Sequence, residues 1–256
     1  MMKIALFQMR ACAGDVEANL AKIEDAAQRA VKDLADLLIM PELAVPGYGA
    51  GDRMRALADT ADGPQIRRLQ AISMKIGIPI IAGFAEKAGD TLYNSAVFVE
   101  KGRKSIVYRK SHLYGPYEKS HFEACTPETV LFDIKGQRCG MLICYDVEFP
   151  ENVRRLAQAG ADLVLVPTAL PAGDYGSFIA RTLVPTRAFE NQVAIAYANH
   201  AGVDDLFSYQ GLSVIVAPDG TLLAEAGDKD EELLYAEVDF DRYQQSKQEN
   251  NYLGDL

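Results

Sequence analysis

The sequence predicts an α/β protein in which two sheets face each other and helices lie outside. Three observations carry that expectation. Short apolar runs alternate with amphipathic helical patterns in strand–helix–strand units. The two halves of the chain echo each other. With 256 residues, 49% of them hydrophobic, the chain can bury a sizeable core as one domain over residues 1–256, with approximate halves 1–125 and 126–256.

Lys3–Met9 (KIALFQM) reads as the first strand. Asp15 is suited to cap a helix whose apolar face carries Leu20, Ile23, Ala27, Val31 and Leu34. Asp36–Met40 is the next strand and runs into Pro41-Glu42. A second helix covers Pro64–Ile76, between Gly63 and Gly77, and Ile78–Phe84 is again strand-like. Leu92–Glu100 and Lys104–Tyr108 form a hairpin around Gly102. Gln137–Ile143 is a strand that delivers Cys144, and Pro150–Ala159 is a helix with proline in its first turn. Leu163–Val166 is a buried strand, and Asp174–Asn191 contains another helical stretch. Val193–Ala198, Leu212–Val216 and Thr221–Ala226 are strands, the last two joined at Pro218-Asp219-Gly220. The polar tail from Asp239 wraps the surface or a partner.

The echo has three parts in matching order. KIALFQM, a helix and DLLIMPEL correspond to CGMLICYD, a helix and DLVLVPTAL. The hairpin NSAVFVEKGRKSIVY corresponds to GLSVIVAPDGTLLAEA. An internal pseudo-duplication follows.

Composition excludes several functions. The formal charge is −10 and no long Lys/Arg run is present, which argues against nucleic-acid binding. No apolar run approaches the length of a membrane span, and the N-terminal residues lack a signal-peptide pattern, so a soluble cytoplasmic protein is expected. The four cysteines (Cys12, Cys125, Cys139 and Cys144) show neither CxxC nor zinc-ligand spacing.

Chemistry concentrates in three segments: Pro41-Glu42-Leu43, Tyr108–Leu113 (YRKSHL) and Gly140–Asp146 (GMLICYD). Glu42 and Cys144 follow strand ends, where ligand sites of α/β sheets gather. A carboxylate, an ammonium and a thiol suffice for acyl transfer. The thiolate is the attacking species, and a free thiol titrates near ~8.5, so it needs a base or a nearby positive charge. A glutamate can take that proton and later give one to the leaving amine. A lysine and a backbone N–H can hold the oxyanion.

At these residues the chain resembles the nitrilase (carbon–nitrogen hydrolase) superfamily. MPEL, YRKSHL and CYDVEFPE resemble its glutamate, lysine and cysteine motifs. LYNSAVF, GADLVLVP, TRAFENQVAIAYANHAG and GLSVIVAPDG extend the match over almost the whole chain. The resemblance implies a four-layer αββα sandwich of two facing mixed sheets with outer helices and an internal pseudo-twofold. It implies a homodimer or higher homo-oligomer and no metal or organic cofactor. It makes Glu42 the general base, Lys110 the oxyanion stabiliser and Cys144 the nucleophile. Glu118, in the charged GPYEKSHF loop, and the Tyr145 backbone N–H support them. Cys125 departs from the family, which has glycine there.

Other residues are read more plainly. Tyr48, Tyr117, Phe149, Thr168 and Ala169 are candidates for the substrate pocket. His112 invites a Cys–His pairing that Glu42 makes unnecessary, and His121 and His200 are read as structural or exposed. Cys12, Cys125 and Cys139 are read as packing residues. Asp146 and Glu148 are read as orienting the nucleophile loop, and Arg187 and Glu190 as an ion pair. The expected partner is a small carboxamide, cleaved to acid and ammonia. Tyr145-Asp146 replaces the Trp-Glu pair frequent in nitrile-cleaving members, and the tail Asn250–Leu253 is similar to that of bacterial stereoselective amidases. The rival substrates are an N-carbamoyl compound and an ω-amide or deaminated dipeptide. A non-catalytic scaffold is the rival from another class.

Overall fold

The computed structural model describes residues 1–255. Each apolar run becomes a strand whose alternate side chains serve different cores. In β1 (Met2–Gln8), Ile4 and Leu6 point to one core while Ala5 and Phe7 point to the other. Helix α1 (Val16–Lys32) begins where Asp15 accepts the Ala18 N–H at 3.0 Å, and it buries Leu20, Ile23, Ala27 and Ala30. Leu34 does not extend that face. The helix closes with Leu34 N–H on Val31 O and Ala35 N–H on Ala30 O. This puts Leu34 at φ 59° and leaves it 79% exposed.

The remaining elements of the first half are β2 (Leu37–Ile39), α2 (Met54–Leu57), α3 (Pro64–Ile76), β3 (Ile80–Ala88), β4 (Thr91–Val99), β5 (Ile106–Arg109) and α4 (Gly115–His121). There follow β6 (Leu131–Ile134), β7 (Gln137–Met141), α5 (Pro150–Gln158), β8 (Leu163–Pro167), α6 (Gly176–Phe178), α7 (Val184–Asn191) and β9 (Ala194–Ala198). The chain ends with β10 (Val214–Val216), β11 (Leu222–Glu225), β12 (Glu232–Val238) and α8 (Gln244–Glu249). The strand delivering Cys144 stops at Met141 rather than Ile143, because the next residues turn into a 3-10 segment. The helical stretch expected within 174–191 runs without a gap over 176–191 and includes a π turn at Ile179–Leu183.

Two six-stranded sheets result, ordered β12-β1-β2-β3-β4-β5 and β11-β10-β9-β8-β7-β6. Both are mixed. Parallel β1–β2–β3 corresponds to parallel β7–β8–β9, and hairpin β4–β5 corresponds to β10–β11. The outer partner of β1 is β12, from near the chain's end, paired from Met2↔Val238 to Gln8↔Glu232. Its counterpart β6 covers β7.

The sheets face each other across a core of Ile4, Leu6, Ile39 and Phe98 from one and Met141, Leu165, Ala196 and Ile215 from the other. Helices α1 and α3 cover the outer face of the first sheet through Leu20, Ile23, Ile66 and Leu69. Helices α5 and α7 cover the second through Val153, Leu156, Val184 and Ala188. This is the four-layer αββα sandwich. The tail is partly internal: Phe240 and Tyr243 are buried, and Tyr252 packs on Phe189 of α7 at 5.7 Å.

Candidate active site

The chain leaves β2 through Pro41 into a tight turn that buries Glu42 completely. Gly83 of β3 permits this approach. A Cβ there would lie 2.1 Å from Leu43 N and 2.7 Å from Glu42 Cα. Leu43 takes a left-handed conformation at φ 49°. The Glu42 backbone is held from the second half: its N–H donates to Thr168 O at 3.3 Å, and its carbonyl faces His200 Nε2 at 2.7 Å. Burial holds the His200 ring below its ordinary pKa, so it serves as a neutral support.

Lys110 follows β5 and is 1% exposed. Its ammonium donates to Glu42 Oε1 at 2.6 Å and Glu118 Oε1 at 2.7 Å. Its backbone N–H donates to Asn94 O at 2.8 Å, and Asn94 Nδ2 donates to Glu42 Oε1 at 2.6 Å. Asn94 thus ties the lysine to the glutamate. Its signal in sequence is an amide inside an apolar strand. Glu118 sits in α4, not in an exposed loop, and is fully buried. GPYEKSH looks solvated by composition, but its two-turn helix aims the glutamate inward.

The two carboxylates differ in one decisive respect. Glu118 is saturated: Oε1 accepts from Lys110 and from Tyr48 Oη at 2.9 Å, and Oε2 accepts the Tyr114 N–H at 2.9 Å. Glu42 leaves Oε2 without a partner. Burial, opposed by Lys110 and reinforced by Glu118, pushes the Glu42 carboxyl up to about 7. Lys110 is held above its ordinary value by the two glutamates, against burial. One ammonium therefore serves two buried carboxylates, and the unpaired oxygen belongs to Glu42.

Cys144 opens the 3-10 segment Cys144–Glu148 at φ 46°, a left-handed value rare for a residue with a Cβ. Burial and the Glu42 charge push its thiol up, while Lys110 and a hydrogen bond from the Ala169 backbone pull it down. The Tyr145 N–H lies in the first turn, where backbone donors lack intrahelical acceptors. Asp146 locks this turn to the lysine segment. One oxygen accepts Ser111 Oγ at 2.7 Å and the His112 N–H at 2.9 Å; the other accepts Tyr108 Oη at 2.9 Å. His112 is consumed by Asp146 at 3.0 Å and by stacking on Phe149 at 3.8 Å between ring centroids. Arg187 secures the far end, donating to Val147 O at 3.2 Å and Glu148 O at 2.8 Å while pairing with Glu190 at 2.9 Å.

A cavity of about 340 Å³ opens on Cys144, walled by Tyr114, Tyr145, Glu148, Leu170, Tyr175 and Ile179 among others. Such a volume suits a small ligand. A wider groove of about 510 Å³, beside Arg10 and Tyr209, meets it only at Ala172 and has no cysteine on its wall. The pocket residues expected from sequence lie mostly elsewhere. Tyr48 is committed to Glu118, and Tyr117 Oη donates to Tyr48 O at 2.7 Å. Thr168 is fully buried with its hydroxyl on Val166 O at 3.0 Å, and Phe149 faces His112. Of that group only Ala169 reaches the reacting atoms, through its backbone. Much of the wall comes from the 170–176 loop, fixed by long-range bonds such as Leu170 N–H on Asn199 Oδ1 at 2.8 Å. No short motif announces it.

Among the remaining cysteines, Cys139 is buried, Cys125 is partly buried and Cys12 is exposed rather than packed. Cys125 stands outside the left-handed region, so its side chain costs no backbone strain, and its N–H donates to Lys110 O at 3.1 Å. Among the described residues no cluster of three or more His, Cys, Asp or Glu is arranged to hold a metal ion. Among them, too, no helix is long and apolar enough to cross a membrane.

The carbon–nitrogen hydrolase profile matches residues 3–248. The chain belongs to the carbon–nitrogen hydrolase family. It is 40% identical to a protein called "hydrolase in pqqF 5′ region" from Pseudomonas protegens, over 99% of this chain and 88% of the relative. It is 36% identical to an (R)-stereoselective amidase of Pseudomonas sp., over 99% of this chain and 91% of that one. The crystal structure of an amidase from Nesterenkonia sp. superposes with a TM-score of 0.88 at 36% identity, covering 100% of this chain and 93% of the other. A cysteine-to-alanine variant of that amidase was solved in complex with butyramide. Another of its variants shows the result of Michael addition of acrylamide at the active-site cysteine. As a member of this family the chain is an enzyme that hydrolyses carbon–nitrogen bonds.

Proposed function

We propose that this enzyme hydrolyses a small carboxamide to a carboxylic acid and ammonia through a Cys144 thioester. The observation that carries the reading is the unpaired Glu42 Oε2 in a cluster whose other carboxylate oxygens are all taken. A carboxyl pushed up to about 7 is matched to proton transfer near neutrality. The complex of the Nesterenkonia amidase variant with butyramide supports the choice of an amide over a nitrile.

In this reading Cys144 Sγ attacks the amide carbon as its proton passes to Glu42. The negative charge on the carbonyl oxygen is met by Lys110 and the Tyr145 N–H. Collapse breaks the C–N bond, and Glu42 returns the proton to the leaving nitrogen, which departs as ammonia. A water molecule, deprotonated by Glu42, then attacks the thioester. The acid leaves and the thiol takes the proton back. Glu118 acts by fixing the lysine, and Asp146 by fixing the turn that carries Cys144.

The test is ammonia release from butyramide, a matched nitrile and a matched N-carbamoyl compound, run beside Cys144→Ala. Release from the amide, abolished in the variant, is the expected result. Hydrolysis of the nitrile with the amide untouched would refute it.

A further inference from the structure

The wall of the Cys144 cavity carries no lysine, arginine or histidine, but it does carry a carboxylate with no partner. Glu148 lies four residues beyond the nucleophile, at the end of the same 3-10 segment, and lines the same cavity. Among the described residues its carboxylate makes neither a hydrogen bond nor an ion pair, although it is only partly exposed. The nearby arginine is spent elsewhere. Arg187 donates to the Val147 and Glu148 carbonyls and pairs with Glu190 at 2.9 Å. Those bonds fix the Glu148 backbone while leaving its side chain free. The only other acid on the wall is Asp174, also without a basic neighbour there.

A half-buried carboxylate without a partner is costly, and it gains most from a ligand that brings a cation or a donor. Burial pushes the Glu148 carboxyl up to about 7, against the pull of Lys110 and Arg187. A bound ammonium would draw it back into the ionised form. A substrate carboxylate, by contrast, would meet a like charge with no basic group on the wall to offset it.

Resting on the amidase reading, we propose that Glu148 is a specificity-determining residue that receives a protonated amine on the acyl part of the substrate. The preferred class is then amino-substituted carboxamides. Uncharged amides come second, and amides bearing a carboxylate are rejected. This separates the enzyme from hydrolases of N-carbamoyl amino acids and of 2-oxo acid amides, whose substrates are anionic.

Two measurements test this, one of which does not need turnover. The first compares kcat/KM for 4-aminobutyramide, butyramide and succinamate in the native enzyme and in Glu148→Gln. The native enzyme should favour the amine over the carboxylate by about tenfold or more, and the variant should shrink that ratio at least about fivefold, chiefly through KM. The second compares the rates at which iodoacetamide and iodoacetate alkylate Cys144, followed at the Cys144 peptide by mass spectrometry. The neutral reagent should lead by about tenfold in the native enzyme and by much less in Glu148→Gln. Equal ratios in the two proteins, or succinamate hydrolysed as well as 4-aminobutyramide, would overturn the assignment. Charge-selective alkylation without ammonia release from any amide would sustain the role of Glu148 and reject the amidase reading instead. A poorly folded variant would leave the native enzyme's own substrate order to decide.

Discussion

The ends of β2 and β8 occupy corresponding places in the two halves, and they enter the site in the same way. Asp36 N–H donates to Lys3 O at 2.7 Å, and Asp36 Oδ2 accepts Lys3 N–H at 2.8 Å. Asp162 repeats both bonds with Arg138, at 2.7 Å and 3.0 Å. Each strand then leaves through a proline. Only afterwards do they diverge: Pro41 leads to Glu42, inside a cluster of charge, and Pro167 leads to Thr168, whose hydroxyl turns back to Val166 O. The first half supplies every charged group of that cluster, and the second supplies the sulfur and uncharged backbone donors. The backbone follows the pseudo-twofold, while the chemistry breaks it. One buried ammonium can serve two carboxylates; a third carboxylate at Thr168 would stand uncompensated.

The largest break in this comparison comes from disarming the charged end. Glu42→Gln preserves shape but removes the base, and kcat should fall by about a thousandfold or more. In the native enzyme kcat/KM should rise with pH through about 7, as Glu42 loses its proton. The variant's residual rate should lack that limb. Lys110→Met leaves two buried carboxylates facing each other, so it should lower stability by about 3–5 kcal/mol in a denaturant titration as well as abolish turnover.

These outcomes bear on how much of the molecule its sequence reveals. Glu42, Lys110 and Cys144 stood out as candidates because their segments resemble the family's glutamate, lysine and cysteine motifs, and the structure brings Lys110 to within 2.6 Å of Glu42. The hairpin echo was legible because both copies keep their strand patterns. Pairing of β12 with β1 was not, since a contact between Gln8 and Glu232 spans nearly the whole chain and leaves no local pattern. Helix α4 was hidden by its polar composition, and Leu34 misled because an apolar residue can close a helix as well as line it. The cavity wall was invisible for a related reason. Leu170 and Tyr175 are placed by distant partners of their loop, not by their own type.

Smaller effects sharpen the comparison at its neutral end. Thr168→Val removes one hydrogen bond and should cost about 1 kcal/mol in stability, with kcat changed by less than about tenfold. A loss as large as that of Glu42→Gln would mean that the two strand ends share the chemistry after all. The subtlest effect concerns Glu148. The folded enzyme holds its proton up to about 7, whereas the carboxyl's ordinary value is 4.5. Between those values the native state binds more protons than the unfolded chain, so its stability falls as pH rises. The native enzyme should therefore lose thermal stability relative to Glu148→Gln from pH 4.5 to 7, a difference read from paired melting curves.

The central claim is that the first half's carboxylate drives the second half's thiol. Its most direct test is rapid quenching of native enzyme and Glu42→Gln with butyramide, followed by mass analysis of the Cys144 peptide. The account predicts a butyryl adduct on Cys144 in the native enzyme and none from the amide in the variant. Ammonia released with no adduct at Cys144, or acylation as fast in Glu42→Gln as in the native enzyme, would contradict it.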